Sequence, residues 1–185
     1  METVYFDKAG PNNTEEVLQI AKARAKETGI KTILVASTTG VTAVKASEFF
    51  EGMRVIVVSH STGFHKANVQ EFTEENKKKA ESKGAIILTA THSFAGVERA
   101  WRKKFNMYLF TDTINYTLRL FGPGMKVVCE ICTMAADAGL VRTDEDVIVI
   151  AGTGRGADTA VVLRPVNSID FFDLRVQEIL CKPRF

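Results

Sequence analysis

Four short runs of aliphatic and β-branched residues constrain the fold of this chain more than any other feature. They cover residues 32–36, 54–59, 85–89 and 146–151, and none of them alternates with polar residues. Unalternated runs of this length are typical of parallel strands that are buried on both faces. Helical patterns lie between the first three runs, so the sequence predicts an α/β fold whose sheet is covered by helices on both sides.

A fifth run, residues 158–164, follows the fourth after the short loop GTGRGA. A parallel return would need a crossover of about a dozen residues or more. We therefore expect strands four and five to form an antiparallel hairpin, with strand five at the edge of the sheet.

Capping signals predict where the helices begin and end. Asn13, with Glu16 three residues later, is typical of a capping box, so the first helix should begin at residue 13 or 14 and end at residue 29. The other helices are expected at about residues 40–50, at 73–84, after a cap at Thr111 or Asp112, and from about Pro123 onward.

Length and composition fit one globular domain that spans residues 1–185, with 45% hydrophobic and 25% charged residues. No apolar run approaches the roughly 20 residues of a membrane helix, and the N-terminus lacks a secretory pattern, so we expect a cytoplasmic protein without membrane contact. A balance of 24 basic against 22 acidic residues argues against nucleic acid as a partner.

The three cysteines favour a reducing compartment over a disulfide framework. Cys129 and Cys132 form a C-x-x-C pattern, which in a redox site lies at a helix N-terminus. Here the helix should open near Pro123, which places Cys129 inside it. Buried packing is therefore favoured over redox chemistry.

Small and hydroxylated residues follow four of the predicted strands. In open parallel sheets, ligands bind beyond the carboxyl ends of the strands, where the strand order reverses. The loops at the opposite edge are short and charged, so we expect function on one edge only. The candidate binding residues are Ser37, Thr38, Thr39, Gly40, Thr42, Ser59, His60, Thr91, His92, Phe94, Gly152, Thr153, Gly154, Arg155 and Gly156.

The loop of residues 37–40 has the composition of an anion site. Its small side chains let backbone N–H groups approach an oxyanion, and the following helix directs its positive end to the same place. The alternative is that Thr38 or Thr39 only caps that helix. No G-K-[ST] follows, so triphosphate hydrolysis is not indicated.

The GTGRGA loop partly matches the dinucleotide pattern G-x-G-x-x-G, but a strand follows it instead of a helix, so NAD is not expected there. Its glycine amides can form an anion nest and Arg155 can add charge. The alternative is a simple glycine-built hairpin turn.

The only histidines are His60, His65 and His92. No cysteine or carboxylate lies at metal-ligand spacing from them, so no metal site is predicted. The functional hypothesis for these residues is that His60 or His92 contacts a bound ligand. No nucleophile or acid–base pair can be singled out, so the catalytic residues are unknown.

Two segments stand out by length and composition. Residues 59–72 form a longer strand-to-helix link than is usual, and such loops are often functional. Residues 91–122 contain seven of the 16 aromatic side chains. They form either an accessory core or subunit contact, or a wall for a planar ligand.

Several of these motifs together resemble one known family. They are KTILVASTTGVTA, GMRVIVVS, GPGMKV with AADAGL, and GLVRTDEDVIVIAGTGRGADTAVVLRP. Their order and register are similar to the C-terminal α/β domain of pyruvate kinase, and specifically to stand-alone archaeal and bacterial proteins similar to that domain, over roughly residues 13–165.

The resemblance implies a three-layer α/β/α sandwich with a five-stranded, mostly parallel sheet of order 3-2-1-4-5 and an antiparallel strand five. In pyruvate kinase this domain holds a sugar-phosphate effector, bound by a loop whose pattern falls here on Ser37, Thr39, Gly40, Val41 and Thr42. Val41 stands where that family has arginine, and the loop at residues 153–156 is shorter. A bisphosphate sugar is therefore not expected.

Pyruvate kinase performs its chemistry in a barrel domain with no counterpart in these residues, so its activity is not expected. The stand-alone relatives look like flavin mononucleotide (FMN) binders, which implies FMN as cofactor, with His92 and Phe94 near its ring. The first hypothesis is thus a domain that binds a small phosphorylated planar ligand. The alternatives are a flavin-dependent oxidoreductase and a homo-oligomeric effector sensor without catalysis.

Overall fold

The computed structural model describes residues 2–185 and contains one seven-stranded mixed sheet. Its strands lie in the order β1-β7-β6-β5-β2-β3-β4. The bounds are β1 Val4–Phe6, β2 Thr32–Ala36, β3 Arg54–Ser59, β4 Ile86–Thr89, β5 Val147–Ala151, β6 Thr159–Arg164 and β7 Arg175–Pro183.

Six α-helices accompany the sheet, and none within residues 2–185 is long and apolar enough to cross a membrane. The bounds are α1 Thr14–Thr28, α2 Val41–Phe49, α3 Glu74–Ser82, α4 Val97–Phe105, α5 Phe110–Arg119 and α6 Pro123–Asp137. Short 3₁₀ turns cover Pro11–Asn13 and Ser168–Asp173.

The core has two apolar layers, one on each face of the sheet. Ile33 and Val35 of β2 belong to the layer that α1 and α2 cover, whereas Leu34 belongs to the layer that α6 covers. Successive side chains of a strand point to opposite faces. Because helices cover both faces of the sheet, the side chains on both faces of β2 are buried. This explains why apolar residues do not alternate with polar ones along the strand.

The prediction of a five-stranded sheet of order 3-2-1-4-5 is wrong for the whole sheet, which has seven strands in a different overall order. The antiparallel pairing of β5 with β6 is confirmed, with Val149 opposite Val161. However, β6 is not an edge strand, because β7 pairs with its other side and β1 then pairs with β7.

The expected helix boundaries are confirmed in part. Gly29 ends α1 in the left-handed conformation, with φ 75°, and the Thr73 hydroxyl accepts a hydrogen bond from the backbone amide of Asn76 at the start of α3. The capping box at Asn13 is wrong, because its side chain makes no capping bond. Helix α5 begins after Leu109, whose amide donates to the Asp112 carboxylate at 3.0 Å.

The parallel pairs around β2 determine where a site can form. Strand β2 has β3 on one side and β5 on the other, with Val35 opposite Val57 and Ile150. The chain leaves β2 toward β3 and β4, then crosses back to β5. This reversal of direction places the loops after β2 and β5 side by side at the carboxyl edge.

Gly124, in the first turn of α6, provides a test of how closely this helix lies on β6. A Cβ atom at this position would stand 2.2 Å from Oγ1 and 2.6 Å from Cβ of Thr159. We predict that Gly124→Ala lowers the free energy of unfolding by about 1–3 kcal/mol, measured by urea denaturation. Helix propensity alone favours alanine by up to about 1 kcal/mol, so a gain in stability would contradict the packing.

Candidate functional site

A cleft of about 760 Å³ lies at the carboxyl edge of the sheet. All the candidate binding residues line it except Gly40, Thr91 and Thr153. The loops after β2, β3, β4 and β5 therefore meet around one space. Thr39 and Arg155, from the two neighbouring loops, both face this space.

The loop after β2 is fixed through its carbonyl and hydroxyl oxygens, which leaves N–H groups free. The Thr39 carbonyl accepts a 2.9 Å hydrogen bond from the Asn76 side chain, and the Ser37 hydroxyl accepts one from the Ala43 amide at 3.2 Å. Within residues 2–185, the amides of Thr38, Thr39 and Gly40 donate to no acceptor. The Ser37 hydroxyl, rather than either threonine, thus accepts from an amide in the first turn of α2, whose N-cap residue is Gly40.

Gly40 shapes this loop although it does not line the cleft. Its φ of 93° is strained for any other residue, and an added Cβ would lie 2.5 Å from Cβ of Asn76 and 2.7 Å from the Phe72 ring. The close approach of α3 therefore requires glycine here.

The buried carboxylate of Asp158 organises the loop after β5. It accepts hydrogen bonds from the amides of Gly10 and Thr153, each at 3.0 Å. The amides of Gly154 and Gly156 find no acceptor within the described residues. Two loops with unoccupied amides thus flank the cleft, and the exposed Arg155 adds a positive charge.

The long loop after β3 carries a histidine–carboxylate cluster. Nδ1 of His60 lies 2.8 Å and Nδ1 of His65 lies 2.9 Å from the same oxygen, Oε2 of Glu71. Burial lowers the pKa of His60, although its hydrogen bond to Glu71 opposes this. The sequence showed no carboxylate at metal-ligand spacing from the histidines, but the folded loop brings Glu71 into contact with both His60 and His65.

Sequence reasoning missed a buried ion pair on the floor of the cleft. Lys126 and Glu130, one turn apart on α6, are in direct contact, and Nδ1 of His92 lies 3.5 Å from the same carboxylate. Burial raises the pKa of Glu130, but the His92 hydrogen bond and the Lys126 charge outweigh it and hold the pKa at about 2. Burial lowers the pKa of Lys126, against the attraction of Glu130. The i, i+4 spacing in MKVVCEI was the available signal.

Helices α4 and α5 add three arginines that were also missed. Arg99, Arg102 and Arg119 line the cleft together with Lys126 and Arg155, against the three carboxylates Glu98, Asp112 and Glu130. Arg102 is paired with Asp112, whereas Arg99 lies over the Phe64 ring, 3.9 Å from its centroid. The excess of basic groups gives the cleft a positive potential.

The aromatic segment of residues 91–122 is not an accessory core. Of its aromatic side chains only Phe94 is buried, and it lines the cleft with Tyr116. The exposed members are Trp101, Phe105, Tyr108, Phe110, Tyr116 and Phe121. A ring of another loop, Phe64, stacks on His92 with their centroids 4.8 Å apart.

Asn115 is a further residue that the sequence did not single out. Its Nδ2 donates a 2.8 Å hydrogen bond to the Phe94 carbonyl, while its buried Oδ1 has no partner within residues 2–185. A buried acceptor without a donor costs about 1–3 kcal/mol. Because Asn115 lines the cleft, a ligand N–H group is one way to satisfy that oxygen.

The fold and the cleft define an open-sheet α/β domain with its loops gathered at a strand-order reversal. The chain matches the family model of the pyruvate kinase alpha/beta domain over residues 15–163. This covers most of its length, so the chain belongs to that family.

Two crystal structures of pyruvate kinase from Cryptosporidium parvum are also similar to the chain. They share 13% and 12% sequence identity with it at a TM-score of 0.43 each, and cover 83% of this chain. The match covers only 23% and 22% of those enzymes. The chain therefore spans less than a quarter of their length.

The buried Lys126–Glu130 pair leads to a prediction about stability. Glu130→Gln would leave the Lys126 charge buried without its partner, and we expect the free energy of unfolding at near-neutral pH to fall by about 3 kcal/mol. The pKa of Glu130 is about 2 in the fold against a usual 4.5. The ionised Glu130 carboxylate therefore stabilises the folded state fully above pH 4.5, and this stabilisation is lost as the pH falls toward 2.

Urea denaturation of the two proteins at several pH values tests this. The difference in unfolding free energy between them should shrink as the pH falls through that interval, and an equal difference at both ends would contradict the assignment. Glu75→Gln is a matched control, because Glu75 pairs with Lys79 in an i, i+4 geometry on an exposed face and little change is expected.

The cysteines lead to a second prediction. Cys129 and Cys132 are free and buried inside α6, as the sequence suggested, and burial raises the pKa of Cys129 to about 12. Cys181 is buried as well, with a pKa of about 12. A thiol reagent at mildly alkaline pH should therefore modify none of the three until the protein is unfolded. Rapid stoichiometric labelling of the native protein would instead indicate an accessible thiolate.

Proposed function

We propose that this protein binds a phosphorylated planar ligand, with FMN as the leading candidate, in the cleft at the carboxyl edge of the sheet. One observation carries the proposal above the others. The loops after β2 and β5 each present backbone amides without an acceptor, at Thr38–Gly40 and at Gly154 and Gly156, and both loops border the same cleft.

A phosphate is the group that such an arrangement would hold. Backbone N–H groups at the start of α2 carry the positive end of the helix dipole, and glycine-rich turns form concave anion sites. Arg155 would add a charge from the opposite loop, and the hydroxyls of Thr38, Thr39 and Thr42 would add donors. Val41 cannot supply a second charge there, which favours a monoester over a bisphosphate.

The rest of the cleft would suit a flat ring. Its volume of about 760 Å³ falls within the usual range for ligand sites, about 300–1,000 Å³. Phe94, His92 and Tyr116 line one side, and the Oδ1 atom of Asn115 needs a donor. The N–H edge of a flavin ring would supply one. These residues fit FMN and would bind and orient it.

A flavin-dependent oxidoreductase is the second candidate, because His60 and His92 lie together on the cleft with ring centroids 5.4 Å apart. A bound flavin supplies hydride transfer, whereas this chain would supply binding and the two imidazoles. NADH or NADPH added to the flavin-loaded protein distinguishes the two candidates. Rapid bleaching of the flavin absorbance would favour the enzyme, and an unchanged spectrum would favour binding alone.

Thr39→Asp tests the phosphate loop directly. We expect it to weaken FMN binding at least about tenfold, because a carboxylate placed beside the free amides repels a phosphate and competes for them. Isothermal titration calorimetry with FMN measures the effect. Arg155→Gln should weaken binding as well, since it removes the charge on the opposite loop.

Thr143→Asp is the matched control. Thr143 is exposed in the loop that precedes β5, at the opposite edge of the sheet, so the same change of charge there should leave affinity within about twofold. Equal affinity of all three variants and the unaltered protein would overturn the proposed site. Failure of the unaltered protein to bind FMN or any other phosphorylated ring compound would overturn the proposed binding function.

A further inference from the structure

We propose that His60, His65 and Glu71 form a binding site for a divalent transition-metal ion of the zinc class, on the wall of the cleft. Their three ligand atoms, two imidazole nitrogens and one carboxylate oxygen, lie within 4.8 Å of one another. The site is separate from the free amides after β2 and β5, and does not depend on the proposed phosphate binding.

The ligand set favours zinc over the alkaline-earth ions. Imidazole nitrogen suits Zn²⁺, Cu²⁺ and Ni²⁺, whereas Mg²⁺ and Ca²⁺ prefer oxygen ligands. Two histidines and one carboxylate are a donor set that zinc sites use, with a further position left for water or another ligand. Because His60 and His65 both line the cleft, that open position would face it.

The three ligand atoms are near enough to one another to meet at one ion after the side chains adjust. Nδ1 of each histidine now donates to Oε2 of Glu71, at 2.8 and 2.9 Å. In a tetrahedral zinc site, neighbouring ligand atoms are separated by about 3.3 Å, since each lies about 2.0–2.1 Å from the ion. The two Nδ1–Oε2 distances would each lengthen by roughly 0.5 Å, and the distance between the two imidazole nitrogens, which lies within 4.8 Å, would have to reach the same spacing. Each imidazole would move its proton to Nε2 and offer the Nδ1 lone pair.

The loop itself is tied down around the cluster, which would limit the entropy lost on binding. The Gln70 side chain donates to the His60 carbonyl at 2.9 Å and accepts from the Phe72 amide at 2.9 Å. The Gly63 amide donates to the Val69 carbonyl at 2.9 Å, which closes the tip of the loop. The ends of the ligand-bearing segment are thus already in place.

Other zinc ligands in the chain compete poorly. The three thiols are buried, with raised pKa values, so they offer no thiolate at neutral pH. Nδ1 of His92 faces the buried Glu130 carboxylate. The cluster on the β3–α3 loop is therefore the place where added zinc should go first.

Tag-free protein, stripped of metal with a chelator, tests the proposal by calorimetric titration with ZnCl2 in phosphate-free buffer. We expect one equivalent to bind, and His65→Ala and Glu71→Gln each to weaken binding at least about tenfold. His65 is exposed, so its replacement should not unfold the protein, and circular dichroism checks this. Glu74→Gln, an exposed carboxylate at the start of α3, is the matched control and should bind as the unaltered protein does.

Cobalt substitution provides a second readout that does not depend on affinity. Co²⁺ at this site should give the visible absorption of a low-coordinate nitrogen and oxygen environment, without a thiolate charge-transfer band. No zinc binding by the unaltered protein, zinc affinity unchanged in both His65→Ala and Glu71→Gln, or a thiolate band in the cobalt form would each overturn the proposal. None of these results bears on FMN affinity, so the two proposals fail separately.

Discussion

The reversal of strand order between β2 and β5 determines how the loops of this fold are arranged. Because β2 pairs in parallel with both β3 and β5, the chain must leave β2 in one direction and return on its other side. Two loops that are more than a hundred residues apart in sequence therefore end side by side. The loop after β2 leads toward β3 and the loop after β5 leads toward β6, away from each other, and the cleft forms between them.

The chemistry of the two loops follows from what fixes them in place. Side chains from elsewhere satisfy their carbonyls and selected amides: Asn76 holds the Thr39 carbonyl, and Asp158 holds the Thr153 amide. The bonds that keep the loops in shape thus leave other amides unpaired at the rim. Unpaired N–H groups are costly unless water or an anion meets them, so loops of this kind would suit the phosphate site that we propose.

Charge around the cleft has two components with different roles. Lys126 and Glu130 are buried together, and each charge offsets the free-energy cost of burying the other. The arginines of α4 and α5, together with Arg155, lie nearer to solvent and give the cleft its positive potential. The first component stabilises the floor, whereas the second would attract a phosphorylated ligand and accelerate its encounter.

Local sequence patterns predicted the centre of the fold but not its edge. The runs that became β2, β3 and β5 are apolar because both faces are covered, so their burial can be read from the sequence alone. Strand β1 has only three residues, and β7 mixes apolar with charged residues, so neither carries such a signal. The position of β1 depends on its pairing with β7 at the other end of the chain, where Val4 lies opposite Cys181.

The candidate site divides in the same way. Loops rich in glycine and hydroxyls reveal themselves by composition, and they were expected where the structure has them. The partner of His60 was not, because Glu71 comes near only when a twelve-residue loop folds back on itself. Asn115 and the arginines reach the cleft through the tertiary packing of α4 and α5, for which no local pattern exists.

An amide-resolved NMR titration of the ¹⁵N-labelled protein with FMN and, separately, with inorganic phosphate tests whether the two loops form one anion site. We predict that the resonances of Thr38, Thr39, Gly40, Gly154 and Gly156 shift together and saturate at one ligand concentration, while those of Gly29 and Gly139 at the opposite edge stay in place. Shifts confined to one loop, or shifts that spare both, would contradict it.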